Sequence, residues 1–259
     1  MAKVNGHAAG TPTWFDVTTS DFTKARAFYG GLFHWTFEVG PPESGGYTMC
    51  LLDGEPVAGM GAPMPGSPMP PAWTVYFSTD DADASATAIR EYGGSVVMGP
   101  MDVMEEGRLL VASDPTGAVF GLWQPKRHQG SRRVDEHGAM AWCEVATRQA
   151  TRARDFYTRT LSLESKRLDG PDASFEYYVL SKDAKDHAGV MQMDAKWPEA
   201  VPAHWMAYFA VDDTDATCAR ASSLGGKVCV PAFDTPYGRI AVLEDPTGAT
   251  FSVIRLAAR

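Results

Sequence analysis

Short runs dominated by aromatic and β-branched residues recur along the chain, and each is followed by a stretch that switches to helical spacing. The runs "TWFDVTTSD" (13–21), "AWTVYFSTD" (72–80), "AWCEVATRQ" (141–149) and "HWMAYFAVD" (204–212) each carry a Trp seven residues before their last position: Trp14, Trp73, Trp142 and Trp205. Such composition predicts strands. After the first run, Phe22, Ala25, Phe28, Tyr29, Leu32 and Phe33 follow the i, i+3, i+4 spacing of one buried helix face. Gly30-Gly31 falls inside that pattern and is expected to weaken its C-terminal end. Second and fourth helices are predicted from about Asp80 and Asp212, closing at Gly93-Gly94 and Gly225-Gly226, where glycine takes the left-handed cap conformation. Three strand candidates follow each helix: "TFEV", "YTMCLLD" and "PVAGMGA" in the first unit, "SVVMGP", "RLLVAS" and "AVFGLW" in the second. The predicted order is strand, helix, three strands, written four times.

A coarser repeat groups these units in pairs. Phe28-Tyr29 returns as Phe156-Tyr157, Tyr76-Phe77 as Tyr208-Phe209, Gly93-Gly94 as Gly225-Gly226, and Asp114-Pro-Thr-Gly-Ala118 as Asp245-Pro-Thr-Gly-Ala249. The expected domains are 11–125 and 138–257, joined by a polar linker, 126–137, which carries four Lys and Arg residues and is expected to be solvated. "DPTG" reads as a turn, with Asp at the hydrogen-bonding first position, Pro at the second and Gly at the fourth. Gly107-Arg108 and Gly238-Arg239 are expected at hairpin positions, the Gly supplying the turn and the Arg a surface or carboxylate contact. "APMPGSPMPPAW" (62–73) and "MDAKWPEAVPAHW" (193–205) are expected to be stiff crossover loops.

This order, with "FY" in the first helix and "DPTG" before the last strand, resembles the vicinal oxygen chelate superfamily, which includes glyoxalase I, extradiol dioxygenases and bleomycin-resistance proteins. The resemblance implies an α+β fold of two tandem domains, each built from two βαβββ units whose curved mixed sheet surrounds a cavity. It also implies a divalent metal held by His, Gln or Glu. Two ligands would lie on first strands, seven residues before the Asp that starts the helix, and a third seven residues after the "DPTG" Asp. Carried onto this sequence, those positions are Trp14, Trp73 and Gly121 in one half and Trp142, Trp205 and Ser252 in the other. Indole has no lone pair to give, glycine has no side chain, and a serine hydroxyl is weak beside imidazole or carboxylate. A metal-free site with no cofactor is therefore expected, a divalent metal being the alternative, with Glu55 the residual carboxylate. Strand alternation places Asp16 with Trp14 and Glu144 with Trp142, and turns His204 away from the face of Trp205.

Composition narrows the function classes. The chain has 259 residues, a formal charge of -9 and 44% hydrophobic residues. The acidic balance argues against nucleic acid or an anionic membrane as partner, since both require clustered Lys and Arg. Four cysteines without a Cys-x-x-Cys pair, and an N-terminus without signal-peptide character, suit a cytoplasmic protein, a monomer or homodimer. The leading expectation is a binder of a small aromatic or cationic metabolite or antibiotic in cavities lined by Trp14, Asp16, Trp73 and Gly121, and by Trp142, Glu144, Trp205 and Ser252. Two alternatives stand: a glyoxalase-like lyase or isomerase, or a dioxygenase-type enzyme, with atypical ligands; and a non-catalytic structural or regulatory protein whose tryptophans fill the cavities.

Overall fold

The computed structural model describes residues 2–63, 70–169 and 175–257, so the Pro- and Met-rich residues 64–69 lie outside it. Its elements are β1 (Ala2–Lys3), β2 (Pro12–Thr18), α1 (Phe22–Phe33), β3 (Thr36–Val39), β4 (Thr48–Leu52), β5 (Glu55–Gly61), β6 (Ala72–Ser78), α2 (Ala82–Glu91), β7 (Ser95–Val103), β8 (Gly107–Ser113) and β9 (Val119–Pro125) in the first half. After β10 (Arg133–Val134) come β11 (Met140–Thr147), α3 (Ala150–Thr160), β12 (Glu164–Arg167), β13 (Tyr177–Lys182), β14 (Lys185–Gln192), β15 (His204–Ala210), α4 (Thr214–Ser223), β16 (Lys227–Thr235), β17 (Gly238–Glu244) and β18 (Thr250–Leu256). Strand order is β3-β4-β5-β2-β6-β9-β8-β7 in one sheet and β12-β13-β14-β11-β15-β18-β17-β16 in the other. The α+β expectation holds: each half is two βαβββ units joined at the antiparallel pair of first strands, β2 with β6 and β11 with β15.

Alternation sorts each sheet into two faces. The helix-side faces of the two sheets meet in one apolar core, where Phe15 and Trp73 pack on Phe209 at ring distances of 5.6 and 4.9 Å, and Phe77 packs on Trp205 at 5.1 Å. The helices sit across this junction. Tyr29 of α1 donates its hydroxyl hydrogen to Asp245 Oδ2 at 2.8 Å, and Tyr157 of α3 donates to Asp114 Oδ2 at 2.9 Å, so each "FY" motif reaches the "DPTG" turn of the other half. In both turns the other oxygen of the Asp accepts from Thr116 or Thr247 and from the N–H of Ala118 or Ala249. The second Gly of each Gly-Gly pair, Gly94 and Gly226, makes room for Phe156 and Phe28 of the opposite half.

Several local expectations change. Gly30-Gly31 does not shorten α1, which runs to Phe33; Gly31 instead lets α1 approach Leu224, just beyond α4, closely. Helices α2 and α4 are capped by Asp81 and Asp213, one residue later than expected, while Asp21 and Gln149 hold the N-cap positions of α1 and α3. The left-handed caps appear as predicted, at Gly93 (φ +87°) and Gly225 (φ +86°). Residues 126–137 are not wholly solvated: Arg133 is buried, paired with Glu136 and Asp53, and His128 is tucked against the first sheet.

Candidate functional site

The one-residue displacement of the α2 and α4 caps decides which tryptophans face the outer, concave side of each sheet. Trp14 and Asp16 pair across the strands with Tyr76 and Thr74, whereas Trp73 pairs with Val17 on the helix side. In the second half Trp142 pairs with Tyr208 and Glu144 with Met206, whereas Trp205 pairs with Val145. Trp73 and Trp205 are therefore core residues, a correction to the expectation that they wall the cavities. Their indole N–H groups donate to the Tyr29 and Tyr157 hydroxyls at 3.0 and 2.7 Å. With Trp205 turned inward, His204 is turned outward, also opposite to expectation. The positions seven residues before the true caps are Trp14 and Thr74, and Trp142 and Met206.

Each concave face holds a carboxylate between two phenols. In the second half Tyr208 donates to Glu144 Oε1 at 2.6 Å, Tyr177 donates to Oε2 at 2.8 Å, and the Trp142 indole N–H donates to the Tyr177 oxygen at 3.2 Å. In the first half Trp14 donates to the Tyr47 oxygen at 2.8 Å, Tyr47 donates to Asp16 Oδ2 at 3.3 Å, and Tyr76 and Thr74 also bond Asp16. Glycines make this geometry possible. A Cβ at Gly59 or Gly189 would overlap the hydroxyl of Tyr47 or Tyr177, and one at Gly121 would overlap the Tyr76 ring. Ser252 takes the place of Gly121 in the second half, buried beside Tyr208.

Electrostatics set these carboxylates apart. Burial pushes Asp16 up to about 6, against the pull of its three hydroxyl donors. Burial likewise raises Glu144 above the usual carboxylate range, opposed by Tyr208 and Tyr177 and only weakly by His204. Among the described residues, Lys and Arg contribute to neither shift. With one oxygen lone pair each already engaged by a phenol, Glu144 retains acceptor capacity for a donor or cation arriving from outside.

The donor set does not fit a divalent metal held by three side chains. Trp14, Thr74 and Gly121, and Trp142, Met206 and Ser252, occupy the ligand positions implied by the resemblance. Among the described residues no group of three His, Cys, Asp or Glu side chains converges. Glu55 is paired with Lys3 at the surface, which holds its carboxyl below the usual range, so it does not complete a site. Arg108 and Arg239 pair with Asp83 and Asp215 as expected. A groove of about 600 Å³ lined by Arg148, Arg152 and Arg159 lies at the start of α3, and neither Asp16 nor Glu144 lines it.

The tyrosines escaped sequence reasoning, although a signal was present: Tyr47 and Tyr177, like Gly59 and Gly189, stand 130 residues apart.

Comparison with known proteins agrees with this architecture. The model of the Glyoxalase/Bleomycin resistance protein/Dioxygenase superfamily matches residues 8–122 and again 139–253. The chain belongs to that superfamily. A Mycobacterium bovis protein named "Putative glyoxylase CFP32" is 40% identical over 262 residues, covering 99% of each chain. The "Anthracycline biosynthesis protein DnrV" of Streptomyces peucetius is 39% identical over 263 residues, covering 96% of this chain and 94% of that one. Among solved structures, the 2,3-dioxygenase LapB from Pseudomonas sp. KL28 aligns with a TM-score of 0.68 at 14% identity, over 97% of this chain and 94% of that chain. The Mn(II)-bound glyoxalase from Novosphingobium aromaticivorans aligns with a TM-score of 0.66 at 14% identity, over 95% and 82%. At such identity these structures establish the superfamily fold alone.

Proposed function

We propose that the protein binds a small planar aromatic or cationic metabolite or antibiotic on its concave sheet surface, without the superfamily's usual metal ligands. The observation that carries this reading is Glu144: a carboxylate only 8% exposed, held by two phenols, with His204 and, among the described residues, no Lys or Arg contributing to its charge balance. A buried ion without a full counter-charge is costly, and a cationic ligand would supply one. Trp142 and Tyr177, both partly exposed, offer aromatic faces beside it, and Met206 a soft apolar one. The likeness to a protein named for anthracycline biosynthesis supports a planar polycyclic ligand. Free thiols at all four cysteines support the cytoplasmic assignment, and no described helix is long and apolar enough to cross a membrane.

A second reading, a glyoxalase-like lyase or isomerase, is favoured by the name of the mycobacterial relative and by the burial of Glu144, which raises its pKa in the direction that makes a carboxylate a better general base. Titration of intrinsic tryptophan fluorescence with a panel of planar aromatic amines separates the two. Binding predicts saturable quenching that Trp142→Phe weakens. Turnover of a methylglyoxal–thiol adduct that requires added divalent metal would favour the enzyme.

A further inference from the structure

Both halves carry the Trp–Tyr–carboxylate–Tyr arrangement, yet the two faces are not equally open, and residues outside the repeat make the difference. After β9 the chain folds back beneath the first sheet. The backbone N–H groups of Lys126 and His128 both donate to the Glu106 carbonyl at 3.0 Å, that of Ser131 to Thr13 at 2.8 Å, and that of Arg132 to Pro56 at 2.8 Å. Gly130 (φ +87°) passes so close to Thr13 that a Cβ would overlap its side chain. This path lays the His128 imidazole edge-on against the Trp14 indole, with ring centroids 4.4 Å apart and planes at 84°. Its other side meets Trp123 at 5.6 Å, and the Trp123 indole N–H holds the His128 carbonyl at 2.8 Å. The N-terminal segment closes over this strap through His7, whose Nε2 lies 2.8 Å from the Ser131 carbonyl oxygen. Trp14 is left 4% exposed.

Among the described residues, the second half has no counterpart of this cover. Ile254 stands where Trp123 stands in the first, and among the described residues no ring packs on Trp142, which stays partly exposed. His128 also differs from ordinary core filling. Its Nε2 is buried with no hydrogen-bond partner among the described residues, a loss that an apolar side chain would not incur. A flat heteroaromatic ring with an unused nitrogen, set edge-on to an indole whose N–H reaches the Asp16 carboxylate through the Tyr47 hydroxyl, has the form of a small planar ligand.

We infer that His128 is a built-in occupant of the first concave face, so that each chain has one ligand site, at Trp142 and Glu144, with a second, latent site at Trp14 and Asp16 beneath the linker. The stoichiometry rests on the binding function proposed above; the occupancy of the first face does not.

The test uses the full chain, as wild type and as His128→Gly, with two probes. The first is 9-aminoacridine, a planar cation at neutral pH, followed by calorimetry. Expected are one site per wild-type chain, weakened by Trp142→Phe but not by Trp14→Phe, and two sites in His128→Gly. The second is imidazole, which should refill the vacated space in His128→Gly, raising its Tm by about 2–5 °C at concentrations near tenfold Kd and leaving wild type unmoved. Two wild-type sites, or wild-type binding abolished by Trp14→Phe, overturn the inference. So does a His128→Gly variant that folds but responds to imidazole no more than wild type. If 9-aminoacridine binds neither protein while imidazole rescues the variant, the proposed function fails and the built-in occupant stands. Should His128→Gly fail to fold, the wild-type stoichiometry and the two Trp variants decide.

Discussion

Removing one hydroxyl at the junction of the halves, by Tyr29→Phe, should cost far more than its size suggests. That hydroxyl donates to Asp245 Oδ2 at 2.8 Å and accepts from Trp73 Nε1 at 3.0 Å, and all three residues are buried. The hydrogen bond to a charged group accounts for about 1.5–3 kcal/mol, and a stranded buried indole N–H for about 1–3 kcal/mol. Partial relaxation brings the expected loss to about 2–5 kcal/mol. The "DPTG" turn itself should survive, because Asp245 Oδ1 keeps its bonds to Thr247 and to the Ala249 N–H. Tyr157→Phe removes the mirror-related bond to Asp114 and should cost the same within about 1 kcal/mol. The assay is urea unfolding followed by far-UV circular dichroism and tryptophan fluorescence. Because these bonds cross between halves that share one core, wild type should unfold in one transition seen by both probes. Losses below about 0.5 kcal/mol for both variants, which is the range of ordinary surface substitutions, would refute the reasoning.

Other consequences concern the concave faces. Asp16 titrates near 3.8 when unfolded and near 6 in the fold, so its contribution is fully present below pH 3.8 and lost as pH rises through 6. The gap corresponds to at most about 3 kcal/mol, and Asp16→Asn should gain about 1–3 kcal/mol over wild type at pH 7.5 relative to pH 4 in paired denaturation curves; equal profiles contradict it. Trp73→Phe and Trp205→Phe should lower Tm yet leave affinity for a planar cation unchanged, since both indoles face the core. Affinity for that cation should fall on acidification from a higher pH than an ordinary glutamate would dictate, because the raised Glu144 must be ionised to attract it.

What recurs in this sequence is mostly the junction, and what departs from the superfamily pattern is the site. "FY", Gly-Gly, "DPTG", Trp73 and Trp205 all meet where the two sheets back onto each other, and this is why the repeat was legible from residue type alone. The four strand-helix-strand units were legible for a related reason, since periodicity records burial. The face of Trp73 was not. "STDD" and "VDDT" each present two adjacent acids able to cap a helix, and choosing the first shifts the alignment of the units by one residue. In a strand, one residue is the difference between core and cavity. The same slip misplaced Trp205 and turned His204 the wrong way. Tyr47 and Tyr177 lie at the edges of β4 and β13 and reach the carboxylates only across glycines, a contact that depends on sheet pairing. His128 was hidden for a different reason: polar composition suggested solvent exposure, whereas its path is set by backbone hydrogen bonds to Glu106, Thr13 and Pro56.

The binding account is tested most directly by calorimetric titration of wild type and Glu144→Gln with 9-aminoacridine and with its neutral analogue acridine at pH 8. The amide keeps the size of the side chain and removes the charge, one phenol hydroxyl turning to accept from the new NH2. If Glu144 is the counter-charge, the substitution weakens the cation at least tenfold, about 1.4 kcal/mol or more, and changes the neutral ring by less than threefold. Equal losses for both ligands, or no saturable binding of either to wild type, would contradict it.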